Sequence, residues 1–175
     1  MGGSTGGPGG GSADDWLDIV DADDRVIGQA RRADAHARQL RHRSVHVLLH
    51  DSADRLFVQK RSMTKDTNPG LWDTSAAGHV DAGETPLAAA GRELAEELGV
   101  TVPAEALRLL FVMAPRPATG NEFVSVFRTR SDEPIALEAG EVDDGVWLSE
   151  AELALRLRTT PERFTDVFRA IIERR

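Results

Sequence analysis

The spacing of apolar positions changes several times along the chain, and each change marks an element. Trp16–Val20 and residues 25–30 are short apolar runs around the acidic turn Asp21-Ala22-Asp23-Asp24, a pattern that predicts a hairpin. Residues 45–49 and 55–59 form a second such pair around Asp51-Ser52-Ala53-Asp54. The period then lengthens. Leu87, Ala90, Leu94 and Leu98 recur at helical spacing and predict one buried stripe. Thr85-Pro86 supplies an N-cap followed by proline at the first helical position, where a missing N–H costs nothing. Gly99 stands where helices commonly end in a left-handed residue. Residues 107–113, 123–130 and 146–148 read as further strands. Ser149 with Glu152 forms a capping box that opens another helix. Thr160-Pro161 repeats the cap-plus-proline start for a final helix, whose stripe is Phe164, Val167, Phe168, Ile171 and Ile172. Mixed strands with one helix in the middle and two at the end make an α/β fold.

Composition narrows the class. The chain has 175 residues, 41% hydrophobic, which suits one domain over residues 13–175 with a substantial core. Residues 1–12, MGGSTGGPGGGS, read as a flexible Gly/Ser-rich leader. No apolar run approaches a membrane span, and the leader lacks the parts of a secretion signal, so a cytoplasmic location with no membrane partner is expected. The absence of cysteine excludes disulfides, thiolate ligands and cysteine nucleophiles. A net charge of −8 argues against a broad nucleic-acid-binding face. A small anionic substrate still fits where cations set the local field. A homodimer is a common state for soluble enzymes of this kind.

The densest chemistry lies between Gly78 and Val100. Glu93, Glu96 and Glu97 sit at spacings that a helix gathers on one side, giving an acidic edge. Oxygen ligands of this type bind hard divalent cations, Mg²⁺ with Mn²⁺ as a substitute, and Mg²⁺ typically shares them with substrate phosphates. Gly78 and Gly83 let the preceding loop turn tightly near a ligand. A bare Glu-Glu-Leu triplet would equally suit an ordinary helix with a solvated face. The register is more specific: Gly78, five residues, Glu84, seven residues, then Arg92-Glu93-Leu94-Ala95-Glu96-Glu97-Leu98-Gly99-Val100. This resembles the signature of the Nudix hydrolases at every fixed position. The resemblance implies a Nudix α/β/α sandwich with a mixed sheet. It also implies metal-dependent cleavage of the phosphoanhydride of a nucleoside diphosphate linked to another group. In that family pattern Arg92 orients the carboxylates, the backbone carbonyl of Ala77 assists Glu93, Glu96 and Glu97 on the metal, and Glu84 supports loop and helix. The proton from water goes to Glu93 or Glu97, or to a residue outside the signature such as Glu122 or Glu141.

Residues 42–84 narrow the resemblance. Gln59-Lys60-Arg61-Ser62, Lys65-Asp66, Pro69-Gly70-Leu71-Trp72-Asp73 and Gly78-His79-Val80 are similar to the Nudix branch related to type I isopentenyl-diphosphate isomerase. Isomerases of that branch carry a catalytic cysteine where this chain has Ala77, so the resemblance implies hydrolysis; isomerase activity and a non-catalytic nucleotide sensor are the alternatives. Arg61 and Lys65 match residues that hold the substrate diphosphate, here expected near the pocket mouth. Trp72 is expected to pack in the core. The loop of residues 114–122 is expected to tune specificity. Isomerases also hold a structural metal through histidines and glutamates. His42, His79 and Glu122 match that set, but His36 is one residue out of step and Gly120 replaces a glutamate. These positions are therefore read as unrelated polar residues, and His46 and His50 as ordinary strand residues.

Overall fold

The computed structural model describes residues 14–175; the Gly/Ser-rich residues 1–12 lie outside them. The expected hairpin is present as a separate two-stranded antiparallel sheet of β1 (Trp16–Val20) and β2 (Val26–Arg31). Its turn closes on the Asp21 carboxylate, which accepts hydrogen bonds from the Asp23 and Arg25 N–H groups. A short helix, α1 (Arg32–Ala37), follows. Its only buried residue is Ala35, so the sequence carries no apolar stripe to announce it.

The remaining elements are β3 (His42–His50), β4 (Leu56–Arg61), β5 (Trp72–Asp73), β6 (Ala76–His79), α2 (Pro86–Leu98), β7 (Arg108–Met113), β8 (Glu122–Arg130), β9 (Val142–Leu148), α3 (Glu150–Thr159) and α4 (Asp166–Arg174). Seven strands form one sheet in the order β5-β4-β3-β8-β7, with β6 added to β3 and β9 to β4. The β3–β8 pair is parallel and the other ladders are antiparallel, so the sheet is mixed.

β3 organises the layers because successive side chains leave a strand on opposite faces. Val45, Val47 and Leu49 pack with Ala90, Leu94 and Leu98 of α2. Leu48 joins Val124, Val126, Phe168 and Ile171 in the opposite layer, under α3 and α4. The result is the α/β/α sandwich expected. Leu87 departs from the predicted stripe: it is exposed in the first turn of α2, before the helix settles on the sheet. The final helix also starts later than its Thr-Pro signal. Thr160-Pro161 opens only a 3-10 turn, Phe164 is extended and buried, and Thr165 caps α4 by accepting from Phe168 N–H at 3.2 Å.

The expected β3–β4 hairpin pairs only at its turn, His50 with Leu56. Beyond that point β3 turns to β6 and β8, while β4 turns to β5 and β9. Ser75 bridges the divergence: its hydroxyl accepts from Leu49 N–H at 2.8 Å and donates to the Phe57 carbonyl at 2.6 Å. The parted strands open one end of the sheet as a cleft. Among the described residues no helix is long and apolar enough to cross a membrane.

Candidate active site

α2 carries the carboxylates to this cleft. Thr85 caps it, its hydroxyl accepting from Ala88 N–H at 3.2 Å, and Gly99 ends it at φ 67°. Arg92 is the clamp. Its Nε and Nη2 donate to the two oxygens of Glu84 at 3.0 and 2.9 Å, and Nη1 reaches Glu93 at 2.7 Å and Glu96 at 3.1 Å. Nη2 also donates to the His79 carbonyl at 3.0 Å, tying the helix to β6. Glu84 accepts in addition from Asp81 N–H, which ties it to the loop. On the next turn Glu97 accepts from Gln59 Nε2 at 2.8 Å and from Ala77 N–H at 3.0 Å. Gly78 is required here, since any side chain on it would overlap the Glu93 carboxylate.

Rather than a solvated face, Glu93 and Glu97 are buried and Glu96 is half-buried. Burial, then the charge of Glu97, pushes Glu93 up to about 8, with Arg92 offsetting only part. Burial also raises Glu97, against the Ala77 N–H and the charge of Lys65. Arg92 is raised: burial disfavours its charge, but Glu84 and Glu93 outweigh that. The cluster thus carries surplus negative charge on oxygen atoms alone, which fits a hard divalent cation.

Arg61 and Lys65 line the same cavity, of about 850 Å³. Both are partly buried. Arg61 donates to the Thr67 carbonyl at 3.2 and 3.0 Å and lies 3.6 Å from Asp73. Lys65 is ion-paired with Glu141, and burial lowers its pKa despite nearby Glu97. Pro117, Thr119, Gly120 and Glu122 of the 114–122 loop also line the cavity. Trp72 packs against the apolar layer beneath α4 instead.

Against expectation, His36, His42, His79 and Glu122 form one cluster whose candidate ligand atoms lie within 4.8 Å of one another. Three placements produce it. The parallel ladder sets His42 opposite Glu122, the antiparallel one sets His79 opposite Ser44, and α1 absorbs the one-residue offset of His36. His36 and His79 bring their Nε2 atoms to 3.1 Å. His42 and His79 Nε2 lie 3.3 and 3.4 Å from one Glu122 oxygen. His42 Nδ1 donates to the Leu40 carbonyl at 2.8 Å, which leaves the buried Nε2 for Glu122; burial works to lower the His42 pKa, but that carboxylate outweighs it and raises it. Burial, then the charges of His79 and His42, lowers His36 to about 4. Burial lowers His79 as well. Burial works to raise Glu122, but contacts with His42 and His79 outweigh it and hold this carboxylate well below the usual range. Three imidazoles with one carboxylate suit Zn²⁺ or Mn²⁺.

Sequence reasoning leaves Ser44 unremarked and sets His46 aside as an ordinary strand residue, yet both are buried and line the cavity. Their signal was there: in a strand whose residues 45, 47 and 49 are apolar, polar residues at 42, 44 and 46 mark a face turned to something other than core.

Comparison with known proteins agrees with this architecture. The NUDIX domain family matches residues 40–168. The chain is 43% identical over 148 residues to a protein of Streptomyces coelicolor named an uncharacterized Nudix hydrolase, covering 83% of this chain and 81% of that one. It is 33% identical over 161 residues to isopentenyl-diphosphate delta-isomerase 2 of Photorhabdus laumondii, covering 91% of each. The crystal structure of DR0079 from Deinococcus radiodurans superposes with a TM-score of 0.71 at 33% identity, over 83% of this chain and 90% of that one. With the signature folded into an arginine-clamped carboxylate cluster, the chain belongs to the Nudix family as a hydrolase of phosphorus-containing anhydrides.

Proposed function

We propose that the protein hydrolyses, with Mg²⁺, the phosphoanhydride of a nucleoside diphosphate linked to another group. The observation that carries this reading is the arrangement around Arg92: one guanidinium holds Glu84, Glu93 and Glu96 while Glu97 is fixed by Gln59 and Ala77. Glu93, Glu96 and Glu97, with the Ala77 carbonyl, would hold the cation. A bound Mg²⁺ supplies Lewis acidity, lowering the pKa of water and neutralising charge on phosphoryl oxygens. Arg61 and Lys65, in the wall of the same cavity, hold diphosphate oxygens by charge-assisted hydrogen bonds.

Glu93 and Glu97 are the candidate bases. Arg92 engages one oxygen of Glu93, and Gln59 and Ala77 engage one of Glu97, so each keeps an oxygen for cation or water among the described residues. Glu122 and Glu141 are poorer bases, the first committed to imidazoles and the second to Lys65. The imidazole cluster supports a second, structural cation, because three imidazoles and one carboxylate bring their candidate ligand atoms within 4.8 Å of one another. Ala77 offers no proton-transfer group, which disfavours isomerisation.

The test is a panel of nucleoside diphosphate sugars, dinucleotide diphosphates, nucleoside triphosphates and isopentenyl diphosphate, assayed with and without Mg²⁺. The expected result is Mg²⁺-dependent cleavage within the linked diphosphates and no dimethylallyl product. Isomer formation, or no cleavage of any linked diphosphate, overturns the reading.

A further inference from the structure

The cavity lining also includes two polar residues of β3 that belong to neither ionic cluster. Ser44 and His46 project from β3 on the face away from α2, beside His79 and Ala77 in the β3–β6 ladder. That register sets the His46 side chain within about 5 Å of the one at Ala77. The Ala77 N–H in turn holds Glu97. Both residues are buried and both line the cavity. Ser44 Oγ has no hydrogen-bond partner among the described residues. A buried hydroxyl without a partner is uncommon, and this one belongs to a residue of the cavity lining.

His46 is half-satisfied in a defined way. Its Nδ1 is 2.7 Å from Thr74 Oγ1, so that side of the ring is engaged within the protein. Thr74 has one hydroxyl proton and donates it to the Ala76 carbonyl at 3.3 Å. It therefore accepts from His46, and Nδ1 carries the ring proton. Asp73 Oδ1, 3.7 Å from the same nitrogen, favours the same tautomer. Burial keeps the imidazole neutral. Nε2 is then a bare acceptor, with no hydrogen bond among the described residues. A diphosphate oxygen has no proton to give it and would be repelled. A hydroxyl both donates and accepts, and so satisfies His46 and Ser44 together.

We infer that Ser44 and His46 form a hydroxyl-recognition subsite for the group linked to the nucleoside diphosphate, so that this group is sugar-like rather than alkyl. The inference rests on the hydrolase reading above. It makes Ser44 and His46 specificity-determining residues, with Thr74 and Asp73 positioning the imidazole.

The test compares two substrates that share one diphosphate, ADP-ribose and the propyl ester of ADP, with Mg²⁺. The wild-type protein is expected to prefer ADP-ribose in kcat/KM. S44A and His46→Phe each lower that preference by roughly tenfold, the loss of one neutral hydrogen bond with its partner left unsatisfied. His46→Gln, which keeps an acceptor on the ring's side, restores part of it. S44A removes only a hydroxyl, so it reads the subsite even where the larger change disturbs folding. An unchanged preference in S44A and His46→Phe, with both substrates cleaved, overturns the subsite alone. Cleavage of neither substrate by the wild type overturns the subsite, and the hydrolase reading falls with it only where no other linked diphosphate of the panel is cleaved.

Discussion

At α2, Glu93 and Glu96 of the helix share one guanidinium with Glu84 of the preceding loop, and burial with the charge of Glu97 pushes Glu93 up to about 8. Across the cavity, three imidazoles share one carboxylate, which they hold well below its usual range. One cluster has excess negative charge on oxygen and calls for a hard cation. The other presents mostly neutral nitrogen and suits a borderline one. Residues of β6 serve both: Ala77 and Gly78 adjoin Glu97 and Glu93, while His79 gives its side chain to the imidazoles and its carbonyl to Arg92. Three consecutive residues of one short strand thus separate two coordination chemistries within one cavity.

The sharpest way to break this comparison is to damage one cluster at a time. Glu97→Gln keeps the size of the side chain and removes a charge, and Mg²⁺-dependent kcat/KM should fall at least about a hundredfold, the upper end of what losing even an outer-shell partner costs. The same variant should still bind Co²⁺ with the strong visible absorption of a nitrogen-rich, tetrahedral site. His79→Asn should lose that absorption and lose much less turnover. Equal loss of both signals in both variants would mean the clusters act as one site.

A smaller effect is expected in the wall. Arg61→Ala and Lys65→Ala should each weaken binding or turnover by about 1–3 kcal/mol, the range for hydrogen bonds to charged groups. Steady-state kinetics on a cleaved diphosphate checks this, and unchanged constants in both would return the two residues to a structural role with Asp73 and Glu141.

The mildest effect is on stability, where the clusters pull in opposite directions. Glu93 is raised above the ordinary 4.5, so its contribution is complete at low pH and is lost as pH climbs to about 8. Glu122 is depressed, so its contribution is present above its ordinary value and is lost on acidification. Metal-free protein should therefore melt highest at intermediate pH, and added Mg²⁺ should raise Tm more at pH 8 than at pH 6. Thermal scans across that range decide it; a Mg²⁺ shift independent of pH would contradict the raised Glu93.

Much of this was legible in the sequence, for unequal reasons. α2 was readable from both ends because Thr85, Pro86 and Gly99 act locally, and its chemistry because carboxylate spacing on a helix is fixed by the helix itself. The hairpin of β1 and β2 was equally local. The imidazole cluster was not readable by spacing, because its members come from α1, β3, β6 and β8 and meet only through ladder register. The β3–β4 pair was misread for a related reason: a turn signal reports where strands meet, not how far they stay together. The Thr160-Pro161 signal was overridden by the burial of Phe164, a tertiary contact no local rule contains.

Ser75 sets how the cleft breathes. Backbone rungs join β3 to β4 only at His50 and Leu56, so a single hydroxyl latches the jaws one step further in. The Leu49 amide is sealed by that latch rather than by a neighbouring strand's carbonyl. Its exchange with solvent deuterium then reports the parting of the jaws, a local opening that leaves the two apolar layers intact. The jaws carry different cargo: Gln59 and Arg61 ride on β4, the imidazole ladder on β3. An opening between them would draw Gln59 from Glu97, the one side-chain bond between β4 and the carboxylates of α2 named above.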